Sequence, residues 1–220
     1  MALSKDTISK FKNFATINPN IVYGGSGKLK TISEAKNILA ETEVEDITSE
    51  FSVYDLNELI STLSLIEDGD VQFGNGELTV TNGKGYNLKY VYADPNILTK
   101  PTKDIQMPEA DIEFTLTSDE LNDIRKASAT LGHNTLQFIG DGNQMIIKVT
   151  DGTGSSKNAF WFKKDIVNDS TFNFDFLINN LKVVSDDYKV SLSSKLISKW
   201  KGNEITYFIA LEKTSSYAGW

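Results

Sequence analysis

Apolar positions at the start of the chain recur with helical spacing. In residues 3–18, LSKDTISKFKNFATIN, Ile8, Phe11 and Ala15 fall on one side of a helix with Phe14 beside them. Leu3 and Ile8 bracket Ser4 as a hydrophobic staple around an N-cap. Lys5, Ser9, Lys12 and Thr16 share another face, about 100° round the axis, and no acid stands among them. Lys10 falls on the opposite flank. Asn18-Pro19-Asn20 ends the pattern, and alternating residues through Val44 predict a short antiparallel meander. Residues 51–66 end a strand and begin a second helix, capped by Asp55 with Glu58 three later as in a capping box. Its buried stripe is Leu56, Leu59, Ile60 and Leu63, and its outer face is small and neutral. Strand-like runs at 71–73, 77–81 and 86–92 follow, separated by glycine-rich turns.

Residues 94–110 hold three of the four prolines and read as a linker. Beyond it the pattern repeats. Leu116-Thr117-Ser118-Asp119-Glu120-Leu121 matches Leu3-Ser4-Lys5-Asp6-Thr7-Ile8, with Thr117 and Glu120 forming a capping box. Strands are expected near 136–139, 145–150 and 158–162. Phe172-Asn173-Phe174-Asp175 echoes the run at 51–55, and a helix over 175–184, capped by Asp175, completes the parallel. Tyr207-Phe208-Ile209-Ala210 echoes Tyr90-Val91-Tyr92-Ala93. The expectation is an α+β chain of two tandem domains, 1–105 and 106–220, each with two helices packed on antiparallel sheets.

Charge sharpens this picture. The 220 residues carry 30 acids against 22 Lys and Arg, a net charge of −8, so the mean field repels phosphate and an acid-free basic helix face stands out. The repeat adds two bases turned from a core stripe: Arg125, about 70° from the Leu121–Ile124–Ser128 line, and more weakly Lys126, at about 150°. Lys182 is the lone charge in the 175–184 segment after its cap. With no cysteine and one histidine, disulfides, thiolate metal sites and a two-histidine site are excluded, and a cytosolic setting is expected. No apolar run spans a membrane, and the start MALSKDT lacks a signal core, so the acceptor Asn168-Asp169-Ser170 is not expected to carry a glycan. Gly24-Gly25-Ser26-Gly27-Lys28 lacks the earlier glycine and following hydroxyl of a phosphate loop, and reads as a hairpin turn. Asp68/Asp70 and Asp186/Asp187 read as solvated turns rather than metal sites, and His133 as a helix-end or surface residue. No nucleophile–base or paired-acid spacing stands out, so neither an enzyme nor a cofactor is expected.

The runs LSKDT, KNFATIN, VYDLN, TFNF and ITYFIALE, together with the repeat, resemble the processivity factors, or sliding clamps, of T-even-type bacteriophages. The resemblance implies a homotrimeric ring with helices lining the hole and sheets forming the rim. Duplex DNA would pass through without being read, in the cytoplasm of an infected cell. It implies the replicative polymerase and an ATP-driven clamp loader as partners. Lys5, Lys12, Arg125, Lys126 and Lys182 would then face DNA. Ile105 and Met107, apolar residues in a polar linker, would form the partner-docking groove. The alternatives are a non-enzymatic symmetric assembly or adaptor protein of the same repeat, and an enzyme with an unrecognised acidic site.

Overall fold

The computed structural model describes residues 3–142, 144–166 and 170–218. Asn168 and Asp169 of the acceptor motif lie outside the described residues. The chain forms two compact units, Met1–Asp104 and Ile105–Trp220.

The first unit opens on α1 (Lys5–Ile17), capped by Ser4, whose Oγ accepts from the Thr7 amide at 3.0 Å. Its buried residues are Thr7, Lys10, Phe11, Phe14 and Ile17, whereas Ile8 and Ala15 are half-buried. The core stripe is therefore turned from the purely apolar reading, because two polar residues are satisfied inside it. The Thr7 hydroxyl donates to Asp46 Oδ1 at 2.6 Å, and Lys10 reaches the Glu43 carbonyl at 3.2 Å. Next come β1 (Ile21–Tyr23), β2 (Lys28–Ile32), β3 (Ile38–Glu43) and β4 (Phe51–Val53). β2 and β3 form an antiparallel pair, but β1 pairs with β4, not with β2. The glycine turn is thus a connection rather than a hairpin. Gly25 and Gly27 take φ of 71° and 80°, open only to glycine at low cost, and the Gly27 amide donates to the Tyr23 hydroxyl at 2.9 Å. The helix α2 (Leu56–Leu63) packs against α1 and buries Leu56 and Leu59. Asp55 caps it through the Asn57 and Glu58 amides, while Glu58 accepts a hydrogen bond from the Tyr90 hydroxyl at 3.3 Å. The sheet β5 (Asp70–Phe73), β6 (Glu77–Thr81), β7 (Asn87–Val91) completes the unit as an antiparallel meander.

The second unit runs β8 (Ile112–Leu116), α3 (Ser118–Leu131), β9 (Thr135–Asp141), β10 (Gln144–Thr150), β11 (Phe160–Asp165) and β12 (Thr171–Leu177). The order β11-β10-β9-β12 is continued by a short strand, β16 (Ser216–Tyr217). Between them lie β13 (Tyr188–Ser193), β14 (Ile197–Lys201) and β15 (Ile205–Ala210), and β8 pairs on the far side of β13. An aromatic cluster of Phe114, Phe138, Phe176, Tyr188 and Trp200 fills the space between, with ring centroids 5.1–6.4 Å apart. The helix expected over 175–184 is corrected to a single 3-10 turn, Ile178–Asn180. β12 extends through Leu177, so Asp175 is a buried strand residue and not a cap. Its carboxylate accepts from Gln137 Nε2 at 3.0 Å, Asn173 Nδ2 at 2.9 Å and Thr214 Oγ1 at 2.6 Å. With the strand consuming the first residues, what remains is a short run with two asparagines and two valines, a weak helix former. The α+β class and the tandem repeat hold; among the described residues the second unit carries one α-helix where two were expected.

Candidate nucleic-acid interface

The exposed residues of α1 include Lys5, Ser9, Lys12 and Thr16, the face read from the sequence. The neighbouring acid, Asp6, is engaged one turn on: its carboxylate meets Lys10 Nζ at 2.6 Å. Lys10 itself is 8% exposed. The opposite flank of the helix is therefore its buried side, and Lys10 is a structural base. On α2, Asn57, Glu58 and Ser61 are exposed, as is its C-cap Ser64, so Glu58 is an acid on an otherwise neutral surface.

In the second unit the capping box at the start of α3 is present in both directions. The Glu120 amide donates to Thr117 Oγ1 at 3.2 Å, and the Thr117 amide donates to Glu120 Oε2 at 2.8 Å. Lys164 of β11 adds two bonds to the same carboxylate, at 2.6 and 2.7 Å. Burial pushes Glu120 up, but Lys164 and the Thr117 groups outweigh it and hold the carboxyl below its ordinary range. Gly132 closes the helix with φ 67°. On the body of α3, Lys126 is exposed together with Asn122, Asp123, Ala129 and Thr130.

Arg125 is half-buried, and its Nη2 donates to the Val183 carbonyl and, at 3.2 Å, to the Leu181 carbonyl. These carbonyls belong to the run where a second helix was expected. The same run is held by the Tyr207 hydroxyl, which accepts from the Val184 amide at 3.2 Å, and by the Tyr188 hydroxyl, which donates to the Val184 carbonyl at 2.9 Å. Side chains thus supply the partners that helical hydrogen bonds would have given. Burial lowers the Arg125 pKa from its ordinary value. Lys182, in the same run, is half-buried. No sequence signal marks this role for Arg125, since a base one turn from an apolar stripe looks the same whether it reaches solvent or a carbonyl.

The remaining candidates are placed as follows. Ile105 is 37% exposed and Met107 half-buried, both in chain without regular structure. His133 is buried, and its Nε2 lies 3.0 Å from the Asn158 carbonyl; since a carbonyl only accepts, Nε2 carries the proton. The residue does stand at the end of α3, where its amide donates to the Ser128 carbonyl at 3.2 Å, but its side chain is buried rather than at the surface. Asp187 accepts from the Ser118 amide at 2.7 Å, and Asp186 from the Asn203 amide at 2.7 Å, so this pair is used in turns and a helix start. Among the described residues no group of three or more metal-ligating side chains converges, and no helix is long and apolar enough to cross a membrane.

A family model described as "gp45 sliding clamp, C terminal" matches residues 113–213. A sliding clamp of Vibrio phage KVP40 is 33% identical, over 96% of this chain and 99% of the relative. A sliding clamp of Enterobacteria phage T4 is 27% identical over 99% of both chains. Among solved structures, "C-terminal region of FEN-1 bound to A. fulgidus PCNA" superposes with a TM-score of 0.69 at 14% identity, covering 97% of this chain and 98% of that one. The last likeness concerns the fold, a two-unit α+β architecture of helices and antiparallel sheets. The identity to the phage proteins runs the full length of both partners, repeat and linker included, and the chain belongs to the family of phage sliding clamps.

Proposed function

We propose that three copies of this chain close head to tail into a ring around duplex DNA, with α1 and α3 toward the duplex, and that the ring tethers the replicative polymerase during synthesis in the infected cell's cytoplasm. Work of this kind needs no catalytic group and no cofactor. A closed ring holds DNA by topology, so its contacts can be weak and independent of sequence. The observation that carries the reading is the exposed, acid-free face Lys5-Ser9-Lys12-Thr16 in a chain of net charge −8. Lys5, Lys12 and Lys126 are the exposed bases proposed to meet phosphate; Arg125 and Lys182 are proposed as half-buried second contributors. Ring closure uses a heterologous interface. Two edge strands suit it: β7, where Val91 is 66% exposed, and β11, where Trp161 is 60% exposed. An ATP-driven clamp loader would open the ring, and Ile105 and Met107 are the proposed docking residues for partner tails.

The test is retention on nicked circular against linear DNA, over a salt titration. The parent should be kept on circles and lost from linear ends. Lys12→Glu with Lys126→Glu should remain trimeric by sedimentation but load poorly at moderate salt, with less effect at low salt. Lys84→Glu, at an exposed turn, serves as control. Equal retention on circular and linear DNA would sink the ring; full loading by the double variant would remove these helices from the DNA path.

A further inference from the structure

The chain has two Asn-Gly pairs, in successive turns of one sheet, and the sheet treats them oppositely. Asn75-Gly76 joins β5 to β6, and Asn82-Gly83 opens the turn from β6 to β7. Asn82 is half-buried, and its Oδ1 accepts from the Lys84 amide at 3.0 Å and the Tyr86 amide at 3.1 Å. These bonds turn the carboxamide oxygen, rather than Cγ, toward the main chain and hold it there. Asn75 is exposed, and among the described residues nothing hydrogen-bonds its carboxamide or the Gly76 amide. Gly76 takes φ of 85°, and apart from its chain neighbours no atom lies within 4 Å of where a Cβ would stand, so its nitrogen is unscreened. The turn is closed on either side of Asn75. The Gly74 amide donates to the Glu77 carbonyl at 2.8 Å, and the Tyr92 amide, just past the end of β7, donates to the Gly76 carbonyl at 2.9 Å.

An asparagine so placed can close a ring on its own backbone. The Gly76 nitrogen bonds to Asn75 Cγ, the Cγ–Nδ2 bond breaks, and Nδ2 leaves as ammonia with the proton that the Gly76 nitrogen gives up. One water then opens the five-membered imide. Cleavage at Cγ leaves aspartate. Cleavage at the Asn75 main-chain carbonyl leaves isoaspartate, in which the chain runs on through Cβ and Cγ. Both products add a negative charge, and isoaspartate also lengthens the main chain inside the turn.

We propose that Asn75 is a self-modifying site, and that its isoaspartate product releases the Tyr92 amide and loosens the end of the edge strand β7. Asn82, held by two amides in the next turn, keeps its carboxamide. The site acts without DNA, partner or ring closure.

The test ages the full-length chain at neutral and at alkaline pH and localises the gain of charge by peptide mapping with fragment sequencing. Asn75 should convert faster than Asn82 by about fivefold or more, the rate equivalent of one hydrogen bond that Asn82 has to break. Conversion should be faster in alkali, because the attacking nitrogen must lose its proton. In the isoaspartate-containing fraction, separated by ion exchange, amide exchange at Tyr92 should quicken about fivefold. Asn75→Gln, whose longer side chain disfavours ring closure, should show neither the charge gain at this position nor the faster exchange after the same ageing. Freshly prepared Asn75→Asp, which carries the charge on an unaltered main chain, should exchange at Tyr92 like the unaged parent. Equal or faster conversion at Asn82, or no charge gain at Asn75 in alkali, would overturn the site. Unchanged exchange at Tyr92 in the isoaspartate fraction, or equal loosening in Asn75→Asp, would overturn its effect on β7.

Discussion

The carboxylate that closes the start of α3 comes from Glu120, three residues past the Thr117 cap; the one that closes α1 comes from Asp46, in the loop after β3. Ser4 donates its amide to Asp46 Oδ2 at 2.8 Å, as Thr117 does to Glu120 at 2.8 Å. The position matching Glu120 is Thr7, which bridges to Asp46 through its hydroxyl. The same orphan amide is satisfied locally in one unit and across 42 residues in the other. The second helices differ in the opposite sense. The first unit builds α2 with its own backbone bonds; the second replaces it with a short turn and a following run, 181–183, whose Leu181 and Val183 carbonyls are taken by Arg125 from another element. A repeat therefore conserves which backbone groups need partners more closely than it conserves where the partners come from.

The largest effect is expected from inverting the one base buried in the first unit. Lys10→Glu places a carboxylate beside Asp6 and the Glu43 carbonyl, and should cost about 3 kcal/mol in denaturant unfolding. Lys12→Glu, one helical face away, should change stability by less than about 0.5 kcal/mol. Equal effects would mean that the two faces of α1 are not distinguished by burial. Next, Arg125→Met should cost about 1–3 kcal/mol, because it orphans the Leu181 and Val183 carbonyls. Amide exchange should quicken at residues 181–184 before it does in α2, which has no such dependence.

The smallest effect separates the caps. Asp46→Asn should cost about 1 kcal/mol, with faster amide exchange at the start of α1 and none at α3; Glu120→Gln should do the reverse. Both carboxyls are buried enough to be pushed up, and both are brought net below their ordinary values by hydrogen bonds, Asp46 by Thr7 and Ser4, Glu120 by Lys164 and Thr117. A depressed folded-state pKa means stability that is fully present above the unfolded value, about 4, and is lost as pH falls through the folded one. An acid titration of the parent should therefore loosen both helix starts below about pH 4, and each variant should lose that dependence at its own helix alone.

Much of this was legible from periodicity and caps. The helix starts, the linker and the meander of the first unit follow from staples, prolines and glycine turns, because these signals act within a few residues. The basic face of α1 was legible for the same reason. What escaped depended on distant partners. Thr7 and Lys10 look like surface residues until Asp46 and the Glu43 carbonyl are brought to them. Asp175 looks like a cap until Thr214 and Gln137 arrive, and Arg125 looks like a free base until the 181–183 carbonyls do. The pairing of β1 with β4 rather than β2 is also non-local, since four residues of glycine and serine permit either course.

The position of Asp46 bears on the order in which the chain folds. Thr117, Glu120 and their helix lie within one turn of each other, so the start of α3 can close as soon as that segment is free, on the timescale of local helix formation. The start of α1 has to wait for a loop of 42 residues to close and for the β2–β3 pair to bring Asp46 into place. The helix α1, synthesised before α2 and α3, is thus among the last to have its end secured. Its first turn gains protection only when the sheet beneath it is complete.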